Sequence, residues 1–220
     1  MLYCRPYLCT GSTLTAVVIE DGLFIHWAWV GDSRVILCRN GVAKRLTFDH
    51  SLDLHGSYHN PIRDSELKRI EEQGGVVREE SNGEYRIYCN NLNINMTRAL
   101  GDVAMKDYGI ISEPCSMKDL PIGDHDYARI TRIDHTSDAF LTIITDGISG
   151  PMSISQISKN INSRSSARES AKHLVDTALH LGSDDNCTAI VVPLGAWGKF
   201  REPSSSVSYT RNFIGRFSRY

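Results

Sequence analysis

Residues 140–147, reading Phe-Leu-Thr-Ile-Ile-Thr-Asp-Gly, constrain the fold more than any other stretch. An apolar, β-branched run of strand length ends abruptly on an acid and a glycine. This predicts a buried strand that delivers one carboxylate to the edge of a sheet, with Gly147 allowing a sharp turn just past Asp146. Two other stretches repeat the arrangement. Residues 27–30 run into Gly31-Asp32-Ser33-Arg34, and Asp184-Asp185-Asn186 opens onto the apolar residues 187–192. Three strands with an Asp at one end can gather Asp32, Asp146 and Asp185 at one edge. Such carboxylates bind hard divalent cations: magnesium, calcium or manganese. Singly, each Asp reads as a turn residue, because Asp bonds its own backbone and Gly accepts positive φ. Only the joint pattern carries the cation reading, and it names no substrate.

The rest of the chain bounds the fold class. Its 220 residues suffice for one domain with a real core. A net charge of −2 gives no global reason to expect nucleic acid or an acidic membrane as partner. The six cysteines form no Cys-x-x-Cys pair, which argues against zinc and fits a reducing intracellular compartment. No apolar run approaches the roughly eighteen residues that cross a bilayer, and the first nine residues resemble neither a signal peptide nor a presequence.

Residues 1–10 show no periodicity and are expected to be an unstructured start. Strands are expected at 14–19 and 23–30 around Asp21-Gly22, and at 35–38 and 43–46 around Asn40-Gly41, forming one antiparallel meander. His50, His55 and His59 fall in a polar stretch at spacings of five and four, which match no zinc motif, so a solvated loop is expected. A helix is predicted over 64–73, with Asp64 as N-cap and Gly74-Gly75 as its stop. Two strands should flank residues 81–84, 105–111 should be irregular, and 128–133 should be a strand. Ser153 with Gln156, and Ser166 with Glu169, predict capping boxes opening two helices. From residue 199 a basic, Ser-rich tail is expected. Hairpin-connected strands with few, grouped helices make an α+β pattern: an antiparallel β-sandwich with helices on the outside.

Nucleophilic catalysis finds less support. There is no Gly-x-Ser-x-Gly elbow and no Gly-x-x-x-x-Gly-Lys phosphate loop. A metal-activated water is the most economical catalyst.

A family likeness emerges when the motifs are taken together. They are Gly11-Ser12-Thr13; Val30-Gly31-Asp32-Ser33-Arg34; Leu46-Thr47-Phe48-Asp49-His50; Glu66 with Arg69-Ile70 and Gly74-Gly75; Thr97-Arg98-Ala99-Leu100-Gly101-Asp102; Ile144-Thr145-Asp146-Gly147; and Asp185-Asn186-Cys187-Thr188. In this order the set resembles the metal-dependent type 2C (PPM-type) protein serine/threonine phosphatases, over residues 11–198 as a partial domain. The resemblance implies a helix-flanked β-sandwich that hydrolyses phosphoserine and phosphothreonine in proteins with Mg2+ or Mn2+. Asp146 and Asp185 would ligate one ion, and Asp32 with Asp146 a weaker one. Arg34 and Asp102 would be structural neighbours. The ending, residues 192–200, is similar to that of a mitochondrial-matrix member acting on the branched-chain ketoacid dehydrogenase complex. That implies a phosphoprotein partner, possible mitochondrial location, and neither nucleic acid nor membrane. The family's Asp-Gly-His-Gly-Gly motif, whose Asp bridges two ions, does not occur in these residues. The N-terminal strands and helices are expected to be missing with it, leaving one sheet with an exposed apolar face. The alternative expectation is a catalytically inactive fragment or regulatory binding module of the same fold.

Overall fold

A computed structural model describes residues 9–53, 60–115 and 130–201. Its strands are β1 (Gly11–Ser12), β2 (Leu14–Glu20), β3 (Phe24–Val30), β4 (Arg34–Arg39), β5 (Val42–Arg45), β6 (Val76–Glu79), β7 (Tyr85–Cys89), β8 (Leu92–Ile94), β9 (Leu100–Gly101), β10 (Ile130–Arg132), β11 (Asp138–Ile144) and β12 (Ala189–Pro193). Its α-helices are α1 (Arg63–Glu72), α2 (Asp146–Ser149), α3 (Ile154–Asn162) and α4 (Ala167–His180).

The central sheet has strand order β12-β11-β4-β5, and an outer sheet has order β10-β3-β2. Every pairing within both sheets is antiparallel. The two sheets pack face to face around Ile25, Trp27 and Trp29 of β3, and Val35, Leu37 and Leu141 of the central sheet. The alternate residues Ile36, Cys38, Phe140 and Ile144 face a second core, completed by Ile157 and Ile161 of α3 and Leu174 and Ala178 of α4. β4 and β11 therefore bury both faces, which is why they read as continuous apolar runs instead of alternating. Full burial of such a side chain contributes about 1.5–3 kcal/mol, comparable with the ~1–2 kcal/mol needed to order its backbone. A third cluster joins Ile70 of α1 to Ile87, Cys89 and Ile94 of the small sheet β6-β7-β8.

The hairpin signals are met. Asp21 and Gly22, and Asn40 and Gly41, all take positive φ. The meander is corrected: β2–β3 and β4–β5 are hairpins in different sheets, and the chain changes sheet at residues 31–33. Gly31, at φ 102°, makes that step, and a Cβ there would lie 2.3 Å from Thr13 Cγ2. Two side chains tie the sheets together, as Trp27 Nε1 donates to Leu46 O at 3.0 Å and Trp29 Nε1 to Phe48 O at 2.6 Å.

Other expectations need adjustment. The N-cap of α1 is Ile62 rather than Asp64, with no side-chain cap bond. Ser65 instead turns its hydroxyl back onto Ile62 O at 2.8 Å. Within the stretch expected to be irregular, Val103–Tyr108 forms a 3-10 helix. The Ser153–Gln156 capping box is complete. At α4, Ser166 accepts from Glu169 N, while the Glu169 carboxylate turns to the Ser165 hydroxyl at 2.9 Å. On the outer sheet, Leu14, Val18, Phe24 and Ile130 are exposed, the apolar face that was expected. Residues 199–201 pack onto the body: Lys199 Nζ donates to Thr136 O at 2.9 Å and Arg201 to Ser165 O at 3.0 Å. The rest of the expected tail, residues 1–8, His55 and His59 lie outside the described residues. No helix among the described residues is long and apolar enough to cross a membrane.

Candidate functional site

The register of the central sheet explains why three acids meet. Ile144, the last residue of β11, pairs with Arg34, the first of β4, and with Ala189, the first of β12. Asp146 just after β11, Asp32 just before β4 and Asp185 just before β12 therefore emerge at the same sheet edge. All three line one cavity of about 370 Å³. Asp32 thus belongs to the start of β4 as much as to the end of β3.

Local bonds fix each turn. Asp146 opens α2 and its Oδ1 accepts from Gly147 N at 2.9 Å. Thr145 Oγ1 donates to Asn186 O at 3.2 Å and accepts from Thr188 N at 3.0 Å, tying the Asp146 turn to the Asp185 turn. Gly147 is required by this approach, since a Cβ would lie 2.6 Å from Asn186 O. Asp185 Oδ1 in turn accepts from Asn186 N at 2.7 Å.

His50 holds the Asp32 side. It is fully buried, which corrects the expectation of a solvated loop there. Its ring stacks on Trp29 with centroids 5.7 Å apart, and its Nδ1 accepts from Gly31 N at 2.9 Å. Burial, then the nearby Arg98 guanidinium, lower its pKa to about 3, so the imidazole is neutral at pH 7. The folded state thus resists a proton that the unfolded chain accepts below about 6.5. Stability from this group is fully present above 6.5 and is lost as pH falls towards 3. In His50→Asn the amide oxygen can take the place of Nδ1 without titrating. Urea unfolding of both proteins should show the unchanged chain losing roughly 2 kcal/mol relative to the variant between pH 6.5 and 5. A stability difference independent of pH would contradict this assignment.

The acids repel one another. Burial first, then Asp146 and Asp49, raise the Asp32 pKa to about 7, and Arg34 offsets only part of this. Burial, followed by Asp185, raises that of Asp146. Asp49 is already committed: Arg34 donates to it at 2.6 Å, and Arg45 also pairs with it. Arg34 further reaches Ser149 O at 3.3 Å. Asp102 sits elsewhere, against Gly11, where a Cβ would overlap its carboxylate. Among the described residues no three His, Cys, Asp or Glu side chains are drawn together as a ready-made ion cage. The donor set nevertheless suits a hard cation, because Asp32, Asp146 and Asp185 converge on one cavity in which Arg34, shared with Asp49, offsets only part of the burial and repulsion felt by Asp32.

Sequence reasoning gave no part to Asp49, Ser51 and Ser149, which also line the cavity. Asp49 stands in a quoted motif, but only folding shows its two arginine partners. No sequence signal marks either serine.

A family model described as Protein phosphatase 2C matches residues 7–187. The chain belongs to the protein phosphatase 2C family. It is 36% identical over 206 residues to "Protein phosphatase 1K, mitochondrial" of Xenopus laevis, a match covering 94% of the chain and 49% of that relative. It is 32% identical to "Probable protein phosphatase 2C 28" of Arabidopsis thaliana, with 85% and 47% covered. The chain thus spans about half the length of the curated relatives it matches. Serine-threonine phosphatase 2C from Toxoplasma gondii shares the fold at a TM-score of 0.66 and 23% identity, covering 84% of the chain and 58% of that structure. A sex determining protein of C. elegans aligns at 0.64 and 25%, covering 86% and 41%.

Proposed function

We propose that this chain takes part in metal-dependent hydrolysis of phosphoserine and phosphothreonine in proteins, with Asp32, Asp146 and Asp185 holding Mg2+ or Mn2+. The carrying observation is the convergence of three strand-terminal carboxylates on one cavity, two of them with raised pKa values. A bound divalent ion supplies positive charge for phosphoryl oxygens and lowers the pKa of water. Asp146, felt by Asp32 and feeling Asp185, is the shared ligand. Arg34, locked by Asp49, holds the α2 end in place through Ser149 O.

The catalytic unit in this reading is residues 11–198. Similarity to a relative named as mitochondrial supports a mitochondrial location, and the ending at 192–200 points to a mitochondrial dehydrogenase complex as phosphoprotein. The inactive-module alternative gains no support from the curated relatives named above, each of which is called a phosphatase.

The test is hydrolysis of para-nitrophenyl phosphate and a phosphothreonine peptide, with manganese and with excess chelator, alongside calorimetric manganese binding. Turnover that appears with manganese and vanishes with chelator is expected. Turnover indifferent to chelator would overturn the metal role. Absence of turnover from folded, manganese-loaded protein would overturn the enzymatic reading.

A further inference from the structure

The ladder between β11 and β12 stops at Thr145, and a side chain takes it over. Up to Ile144 the two strands pair through main chain, with Ile144 opposite Ala189. Thr145 keeps an extended backbone, and its N–H donates to Thr188 O at 3.1 Å. An antiparallel pair of this kind normally exchanges two bonds, so Thr188 N should find Thr145 O in return. That carbonyl has instead turned into α2, where it accepts from Ile148 N at 3.1 Å and Ser149 N at 3.2 Å. The Thr145 hydroxyl fills the place. Oγ1 accepts from Thr188 N at 3.0 Å and donates to Asn186 O at 3.2 Å. The curl that presents Asp146 would otherwise detach the loop that presents Asp185. Thr145 directly precedes one acid and Asn186 directly follows the other, and the charge of Asp185 acts against that of Asp146. The hydroxyl thus joins two turns whose acids repel. Ser183 Oγ also donates to Gly147 O at 2.7 Å, tying the start of the same loop to α2.

Building on the metal-dependent reading above, we propose that Thr145 is a positioning residue: its hydroxyl fixes the spacing of Asp146 and Asp185 and so sets which divalent ion this edge prefers. Mg2+ demands near-octahedral oxygens at about 2.0–2.1 Å, whereas Ca2+ takes about six to eight at roughly 2.3–2.6 Å in looser geometry. Carboxylates held at a fixed spacing favour the smaller, more exacting ion. Carboxylates free to spread lose that preference, because the ion must then draw the two turns together itself, at a cost to its own binding. Ca2+, with longer bonds, needs less of that closure. Thr145 touches neither ion nor substrate in this scheme and acts only through the two acids.

The test is calorimetric titration of the full chain with magnesium and, separately, with calcium. It compares the unchanged protein with Thr145→Val, Thr145→Ala and Thr145→Ser. Valine keeps the branched shape without the hydroxyl, alanine removes both, and serine keeps the hydroxyl. Thermal melts check that each variant is folded, which the remaining Ser183 bond favours. Loss of the hydroxyl is expected to weaken magnesium binding about tenfold, as for other groups that support a metal ligand. Calcium should weaken by about threefold or less, so the preference between the ions narrows. Thr145→Ser should stay within about twofold of the unchanged chain for both ions. Equal weakening of the two ions, or none, would overturn the positioning role, and so would a serine variant that behaves like valine. Failure of both hydroxyl-free variants to fold would assign Thr145 to the fold alone and overturn it too. An unchanged chain that binds neither ion would also overturn it, and the manganese titration then shows whether the metal reading has failed with it.

Discussion

Replacing Glu66 by alanine is expected to destabilise the fold by roughly 3–5 kcal/mol, the usual effect of removing one partner from a buried ion cluster. Glu66 is 1% exposed, yet it accepts from Arg69 at 2.5 and 2.7 Å, from Arg98 at 2.6 Å and from the Thr97 hydroxyl at 2.6 Å. Burial alone would raise its pKa, but the hydrogen bonds and charges of Arg69 and Arg98 outweigh it and hold the value at about 2. Alanine would leave two guanidinium groups facing an uncompensated site, one of them on the fully buried Arg98. Because folded domains are stable by only about 5–15 kcal/mol, the variant should be partly unfolded near physiological temperature. Urea denaturation measures this, and Glu66→Gln separates charge from shape by keeping the volume. A loss below about 1 kcal/mol would be surface-pair behaviour and would contradict the role. The pH sign follows. The depressed carboxyl adds stability in full above about 4.5, and that stability disappears as pH falls through about 2.

Asp146→Asn should have the largest effect on the site. Loss of a group merely supporting a metal ligand costs about 10–100-fold in affinity, so on the proposed assignment of Asp146 as the shared ligand its loss should weaken manganese binding by at least that much. Metal-dependent turnover should disappear with it. The same change removes a charge that raises the Asp32 pKa. The metal-free variant should therefore melt no lower than the unchanged chain, while manganese no longer raises its melting temperature. This opposite pair of shifts separates a ligand from a structural residue. A variant that melts early, yet still gains stability from manganese, would show that Asp146 serves the fold and not the ion.

Glu66 and Asp146 also show how differently residues announce themselves in sequence. Asp146 drew notice only jointly with Asp32 and Asp185, because three strand-terminal acids form a pattern that a single Asp-Gly turn does not. Glu66 stands in one of the family-like motifs and its partners Thr97 and Arg98 in another some thirty residues further along the chain, and nothing local links the two. Only the packing of α1 against residues 97–109 reveals why a charged side chain is buried there. His50 is the converse: three histidines in a polar stretch suggested water, whereas His50 stacks on Trp29 and seats Gly31.

Local elements were written in the chain: the hairpin turns at Asp21-Gly22 and Asn40-Gly41, the capped start of α3, and a buried strand at β11. These depend on periodicity and turn chemistry among near neighbours, which a chain carries wherever it is read. Folding in three dimensions sets the sheet change at Gly31 and brings Asp53 and Glu84 to the cavity that Asp32, Asp146 and Asp185 share. Register between strands far apart in sequence sets these, and pairing residues such as Ile144 with Arg34 and Ala189 leaves no mark on local pattern.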